Sequence, residues 1–234
     1  MGWLFWVLLI FTILMAIRGA DKGFLRMALS LASMVIIMLL ASWLNPYVGS
    51  FMKTTPVYTV VKSECGNFFE KKISSYENDE GQGMSKTDQI TAIDAQEFPE
   101  IIRNALNENN NSEIYDLLGV SDFVDYLSCY VANFVINGIA YILSFAIAAI
   151  IVKLIFSAID LLTMLPVVGT VNAIAGMLVG VGQAILWIWV FFVLVTILCN
   201  TELGQILAAQ IEDNSILKIL YDKNVLLNII TAVL

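Results

Sequence analysis

The chain has 234 residues, of which 59% are hydrophobic and 14% charged, with a net charge of −8 and no histidine. Soluble domains carry about 45–50% apolar and about 25% charged residues. Here the apolar excess gathers in two blocks, near residues 1–44 and 130–199, the pattern of a bilayer protein. The acidic balance excludes nucleic-acid binding, which needs clustered Lys and Arg to neutralise phosphates. The missing histidine removes the commonest metal ligand and the commonest base near neutral pH.

In chain order, residues 1–17 form the first apolar run, with Thr12 the polar residue in its middle. No Lys or Arg precedes it and Arg18 follows, so it reads as a retained membrane helix rather than a cleaved signal peptide. A short connection, Arg18-Gly19-Ala20-Asp21-Lys22-Gly23, leads to a second run over 24–44, about 31 Å of helix. Together they make a helical hairpin. Asn45-Pro46 is expected to end the second helix.

Residues 45–129 are expected to be an acidic, water-facing segment. They hold 14 acids and 6 bases, which accounts for the whole net charge. Thr55-Pro56 is read as the start of an amphipathic helix, carrying Val57, Val61, Cys65, Phe68, Phe69 and Ile73 at helical spacing. Residues 77–87 read as a linker, 99–107 as a short helix, and 112–118 as one or two helical turns before Gly119. Ser121 is expected to cap a long helix that spans the membrane over 130–156, with Lys153 reaching the headgroups near its end. Residues 157–165, with Asp160, read as an interfacial turn broken by Pro166. The last long run, 167–199, exceeds one perpendicular span. The tail, 200–234, reads as two short amphipathic interfacial helices. Cys65, Cys129 and Cys199 contain no CxxC pair and read as buried thiols, with a Cys65–Cys129 bridge the weaker alternative.

The predicted architecture is therefore an all-α integral membrane protein with about four transmembrane helices, divided as 1–44, 45–129, 130–199 and 200–234. Arg18, Lys22 and Arg26 are the densest basic cluster and place their loop on the cytoplasmic side. The N-terminus and residues 45–129 are then expected outside.

Three constellations exceed generic hydrophobicity. Gly169, Ala173, Gly176, Gly180 and Ala184 recur every three or four residues and form a small-residue seam along one face of the last helix. It reads either as packing against the second or third helix or as an oligomer interface or pore lining. Tyr126, Tyr130, Asn133, Asn137, Tyr141 and Ser144 form a polar stripe on the third helix. Amides are costly in hydrocarbon, so the stripe should face protein or water. It reads either as interhelical hydrogen bonding, with Ser30 and Ser33 or Asn172 and Gln183 as partners, or as a hydrated path. Pro166 through Asn172 forms a stop, a turn and a restart at the entry to the last helix. No ionisable residue lies mid-span, which argues against a proton-coupled carrier. No catalytic residue, metal site or cofactor is expected.

The Arg18-Gly19-x-x-Lys22-Gly23-Phe24 loop, the Leu165-Pro166…Asn172…Gly176…Gly180 helix entry and the tail Ile211-Glu212-Asp213-Asn214-Ser215…Leu220-Tyr221-Asp222-Lys223-Asn224 resemble the colicin V production protein family (CvpA), in its Gram-positive form. The family often has a basic residue after the asparagine, where this chain has Ala173. The resemblance implies a bacterial cytoplasmic-membrane protein associated with toxin production or export and with envelope maintenance, and it implies no catalytic residues. The sequence thus predicts a non-enzymatic membrane scaffold or accessory. Its partners would be the lipid bilayer, other copies of itself or other membrane proteins. The alternative is an oligomeric channel lined by the stripe and the seam.

Overall fold

A computed structural model describes residues 2–73, 84–96, 98–157 and 169–231. Eleven helices, and no strand, are found among them. Four are long and apolar enough to cross a membrane: α1 (Trp3–Lys22), α2 (Phe24–Lys53), α7 (Phe123–Ser157) and α8 (Thr170–Ile197). The expected all-α membrane architecture is observed.

The four spans pack as two antiparallel pairs, α1 with α8 and α2 with α7, and α8 lies between α1 and α2. At 30, 35 and 28 residues, α2, α7 and α8 run about 42–52 Å, well beyond a hydrocarbon core of about 30 Å. The overhang carries the rest of the molecule. Helices α3 (Pro56–Ile73), α4 (Lys86–Asp94), α5 (Glu100–Glu108) and α6 (Ser112–Leu118), with α9 (Glu202–Glu212), α10 (Ser215–Asp222) and α11 (Val225–Thr231), form a lobe around those helix ends. Its core includes Cys65, Phe69, Ile93, Phe98, Ile102, Leu106, Tyr126 and Leu127 from the middle segment and Ile211, Leu217, Tyr221 and Leu227 from the tail, all nearly solvent-free. The face of the molecule opposite the lobe holds the α1–α2 turn.

Several boundaries depart from the sequence reading. The second helix does not stop at Asn45-Pro46 but continues through Pro46 to Lys53. Pro46 removes one backbone hydrogen bond, yet Asn45, Gly49 and Met52 continue the buried stripe of Met34, Met38 and Ala41 against α7, and that packing outweighs the loss. Thr55 does not cap α3 forward: its hydroxyl donates back to the Met52 carbonyl. Asp122, not Ser121, caps α7, its carboxylate accepting from the Asp125 N–H at 2.8 Å. The end of the expected linker is helical from Lys86, because Ser85 accepts from the Asp88 N–H and closes a capping turn. The tail forms three helices rather than two, capped in turn by Thr201, Asn214 and Asn224. Pro166 and Asp160 lie outside the described residues.

Candidate functional site

Two of the sequence motifs, 150 residues apart, meet at the lobe-distal end of the α1–α8 pair. Gly19 lies against Gly176, each so close to the other's carbonyl oxygen that a methyl group on either would collide with it. Gly180 stands in the same relation to the Met15 carbonyl. One turn on, Gly23 adopts φ 75°, a conformation that only glycine takes without strain, and it packs on the Asn172 amide. The Asn172 Oδ1 accepts from the Phe24 N–H at 2.9 Å, satisfying one of the free donors at the start of α2. The basic loop and the helix entry are thus one junction. Arg18 and Lys22 are exposed beside it.

The small-residue seam is consequently occupied. Gly176 and Gly180 face α1 of the same chain, not the second or third helix named as partners from sequence, and Gly176, Gly180 and Ala184 are buried. Ala173 is half-buried and Gly169 exposed, so the seam loosens toward the helix start. The α2–α8 contact is held instead by a hydrogen bond from Gln183 Nε2 to Ser30 Oγ at 3.0 Å.

The polar stripe is also covered from within. Asn133, Asn137, Tyr141 and Ser144 are all buried, facing α2 and α3. Asn137 Oδ1 stands against Gly49, where a side chain would press on it at 3.3 Å. The partners suggested from sequence make other bonds: Ser33 donates to Leu29 in its own helix, Asn172 accepts from Phe24, and Gln183 donates to Ser30. Midway along the α2–α7 seam, Asn45 Oδ1, Tyr141 Oη and Ser144 Oγ are buried with no hydrogen bond of good geometry, although Tyr141 leans toward Ser42. Each such group carries a desolvation cost of about 1–3 kcal/mol. At its lobe end the stripe is satisfied. Tyr126 Oη donates to the Leu106 carbonyl at 2.7 Å, and Tyr130 Oη accepts from Asn109 at 3.1 Å.

The tail motif proves to be a clamp. Glu212 accepts from the Glu100 N–H, and Lys218 Nζ bridges Glu100 at 2.5 Å and Glu212 at 2.8 Å, joining α5, α9 and α10. The Lys218 ammonium holds the Glu100 carboxyl below its ordinary value, and the two carboxylates hold Lys218 above its own. Tyr221 Oη meets Thr196 Oγ1 at 2.7 Å, and Asn224 donates to the Trp189 carbonyl at 3.0 Å, which lays α10 and α11 along α8. Asn200 then ties two cysteines together: its Nδ2 donates to Cys65 Sγ at 3.0 Å and its Oδ1 accepts from Cys199 Sγ at 3.6 Å. Burial pushes the Cys65 thiol to about 11 and that of Cys199 to about 12, so both stay protonated and unreactive at neutral pH. All three cysteines are free and buried, and the Cys65–Cys129 bridge is not formed.

The lobe has one open polar pocket of about 480 Å³, lined by Lys86, Gln89, Asn110 and Tyr115 among others. These four bond one another. Asn110 gives its amide hydrogen to Gln89, receives the Tyr115 hydroxyl on its Oδ1 and receives Lys86 on its carbonyl. No group of three or more His, Cys, Asp or Glu able to hold a metal occurs among the described residues.

These features define an all-α, multi-pass membrane protein whose spans carry a docked helical lobe. No family model, curated protein or solved structure matches the chain.

Proposed function

We propose that the chain is a non-enzymatic bacterial membrane scaffold of the colicin V production type, presenting its lobe to partners in secretion or envelope maintenance. The observation that supports this best is the clamp between tail and middle segment. Three spans are long enough to overrun the bilayer, and α5, α9, α10 and α11 are tied to their ends and to one another by hydrogen bonds and an ion triad, so the lobe is a docked platform rather than a pair of loops. The described residues of the motifs that carry the family resemblance do structural work: Gly19, Gly23, Asn172 and Gly176 join α1, α2 and α8, and the tail closes the lobe. The cytoplasmic face is then the one with Arg18 and Lys22, and the acidic lobe faces outside. In this reading the chain acts by holding other membrane proteins, or further copies of itself, in register.

The contact of Gly176 and Gly180 with α1, and the burial of the stripe residues, favour this reading over the channel alternative.

The test is site-specific photo-crosslinking in native membranes from the exposed lobe positions Leu117 and Ile219, whose side chains pack on nothing essential. The scaffold reading predicts discrete adducts with a protein partner or a second copy. Monomer alone, from both positions, overturns it. Cysteines introduced at Ala20 and Ser112 in a Cys-free background test the orientation, with labelling from the inside and the outside respectively.

A further inference from the structure

The glycine contact that joins α1 to α8 covers only half their length. Toward the lobe, the same two helices meet through large side chains and stand apart around a cavity of about 430 Å³. Leu4, Leu8 and Phe11 form one wall, Ile188 and Phe191 the other, and Leu207 of α9 the roof. The roof is fixed in place, because Gln210 of α9 accepts from the Leu4 N–H at 3.0 Å and so caps the start of α1. Every lining side chain is aliphatic or aromatic. The rim residues Val7 and Trp187 are 51% and 41% exposed, so the cavity opens sideways between the helices.

We propose that this crevice binds one acyl chain of a phospholipid from the membrane leaflet on the lobe side. Three observations favour that occupant. The cavity runs from Trp3 to Phe11, about 12 Å of helix, which lies within the depth of one leaflet, about half of a 30 Å hydrocarbon core. Apart from the indole N–H groups of Trp3 and Trp187 at its mouth, the lining offers no hydrogen-bonding side chain, so water or a headgroup inside would be left largely unsatisfied. The shape agrees: a crevice of about 430 Å³ that opens sideways between two spans can be entered by an extended hydrocarbon chain directly from the surrounding leaflet. The site stands on membrane insertion alone and is independent of the scaffold reading.

The experiment uses the full chain in phosphatidylcholine vesicles doped with phosphatidylcholine carrying a diazirine midway along one acyl chain. After irradiation, adducts are mapped by mass spectrometry. The proposal predicts several-fold more adduct at Leu8 and Phe11 than at Leu39 of α2, a fully lipid-facing control. Leu203→Trp narrows the mouth at an exposed position where folding tolerates the change, and Leu8→Trp fills the interior. Leu203→Trp is expected to bring the Leu8 and Phe11 adducts down to the control level and Leu8→Trp the Phe11 adduct, with Leu203→Trp decisive should the interior variant not fold. Equal labelling at all these positions, unaffected by Leu203→Trp, would mean ordinary boundary lipid and overturn the site. Protein–protein adducts from a diazirine amino acid placed at Val7 would replace the lipid with a partner and overturn it equally.

Discussion

The α1–α8 and α2–α7 pairs cross the same membrane side by side and are held by opposite means. In the first, Gly19, Gly176 and Gly180 bring backbone against backbone, and dispersion between closely approached main chains supplies the attraction. In the second, Met34, Met38, Ala41, Asn45, Gly49 and Met52 mesh with a wholly buried face of α7, and polar groups are trapped in the seam. The first contact has no room for an added atom. The second meets through side chains and carries polar groups that raise its cost. Specificity of pairing thus comes from shape in one case and from buried polarity in the other.

That contrast is open to attack by mutation, and the largest effect belongs to the glycine contact. Gly176→Ala forces a methyl group into the Gly19 carbonyl and is expected to destabilise by the upper end of about 1–3 kcal/mol, read by unfolding in detergent. Gly138→Ala is the control. The added methyl meets side-chain atoms of Ile197 rather than backbone, so a side-chain shift should hold the cost to the lower end of about 1–3 kcal/mol. Equal losses in the two variants would erase the distinction between backbone and side-chain contact.

Next comes the clamp. Tyr221→Phe removes the hydrogen bond to Thr196 and should cost about 0.5–1.5 kcal/mol, seen as faster labelling of Cys199 by a thiol reagent. Ser144→Ala tests the second pair with the opposite sign. Deleting a buried hydroxyl without a partner should leave stability unchanged or raise it by up to about 1 kcal/mol. A clear loss would show that the hydroxyl is hydrogen-bonded within the seam.

The smallest effect concerns Lys218. The lowered Glu100 value stabilises docking above the ordinary carboxylate pKa and is lost as pH falls through the folded value. The raised Lys218 value stabilises below the ordinary lysine pKa and is lost as pH rises through the folded value. Thiol labelling of Cys65 and Cys199, divided at each pH by the rate for the unfolded chain, should therefore be slowest between about pH 4.5 and about pH 10. In Lys218→Ala the dependence at the acid edge should flatten.

Much of this was legible in sequence. Long apolar runs gave the four spans, and three- and four-residue spacing placed the seam and the stripe each on one face. What covers them was not legible, because small residues advertise close approach without naming the neighbour: α1 fills the seam by way of Gly19, which reads locally as a loop residue. Pro46 misled because its local cost is visible in the chain while the packing of Gly49 and Met52 on α7 is not. Helix α4 was missed although Ser85-Lys86-Thr87-Asp88 is a capping pattern, since the Gly- and acid-rich stretch before it dominates the composition. Docking of the tail depended on Lys218, Tyr221 and Asn224 meeting residues 25 to 118 positions away, which no local pattern encodes.

The most direct test of the central claim is flux. Purified protein, shown to be folded and inserted, is placed in liposomes, and passage of ions and small solutes is compared with empty liposomes and with Asn137→Leu. A self-filled scaffold predicts passage no faster than in empty liposomes for both proteins. Protein-dependent flux that falls in Asn137→Leu would contradict it, and would make the stripe between α2 and α7 a conducting path.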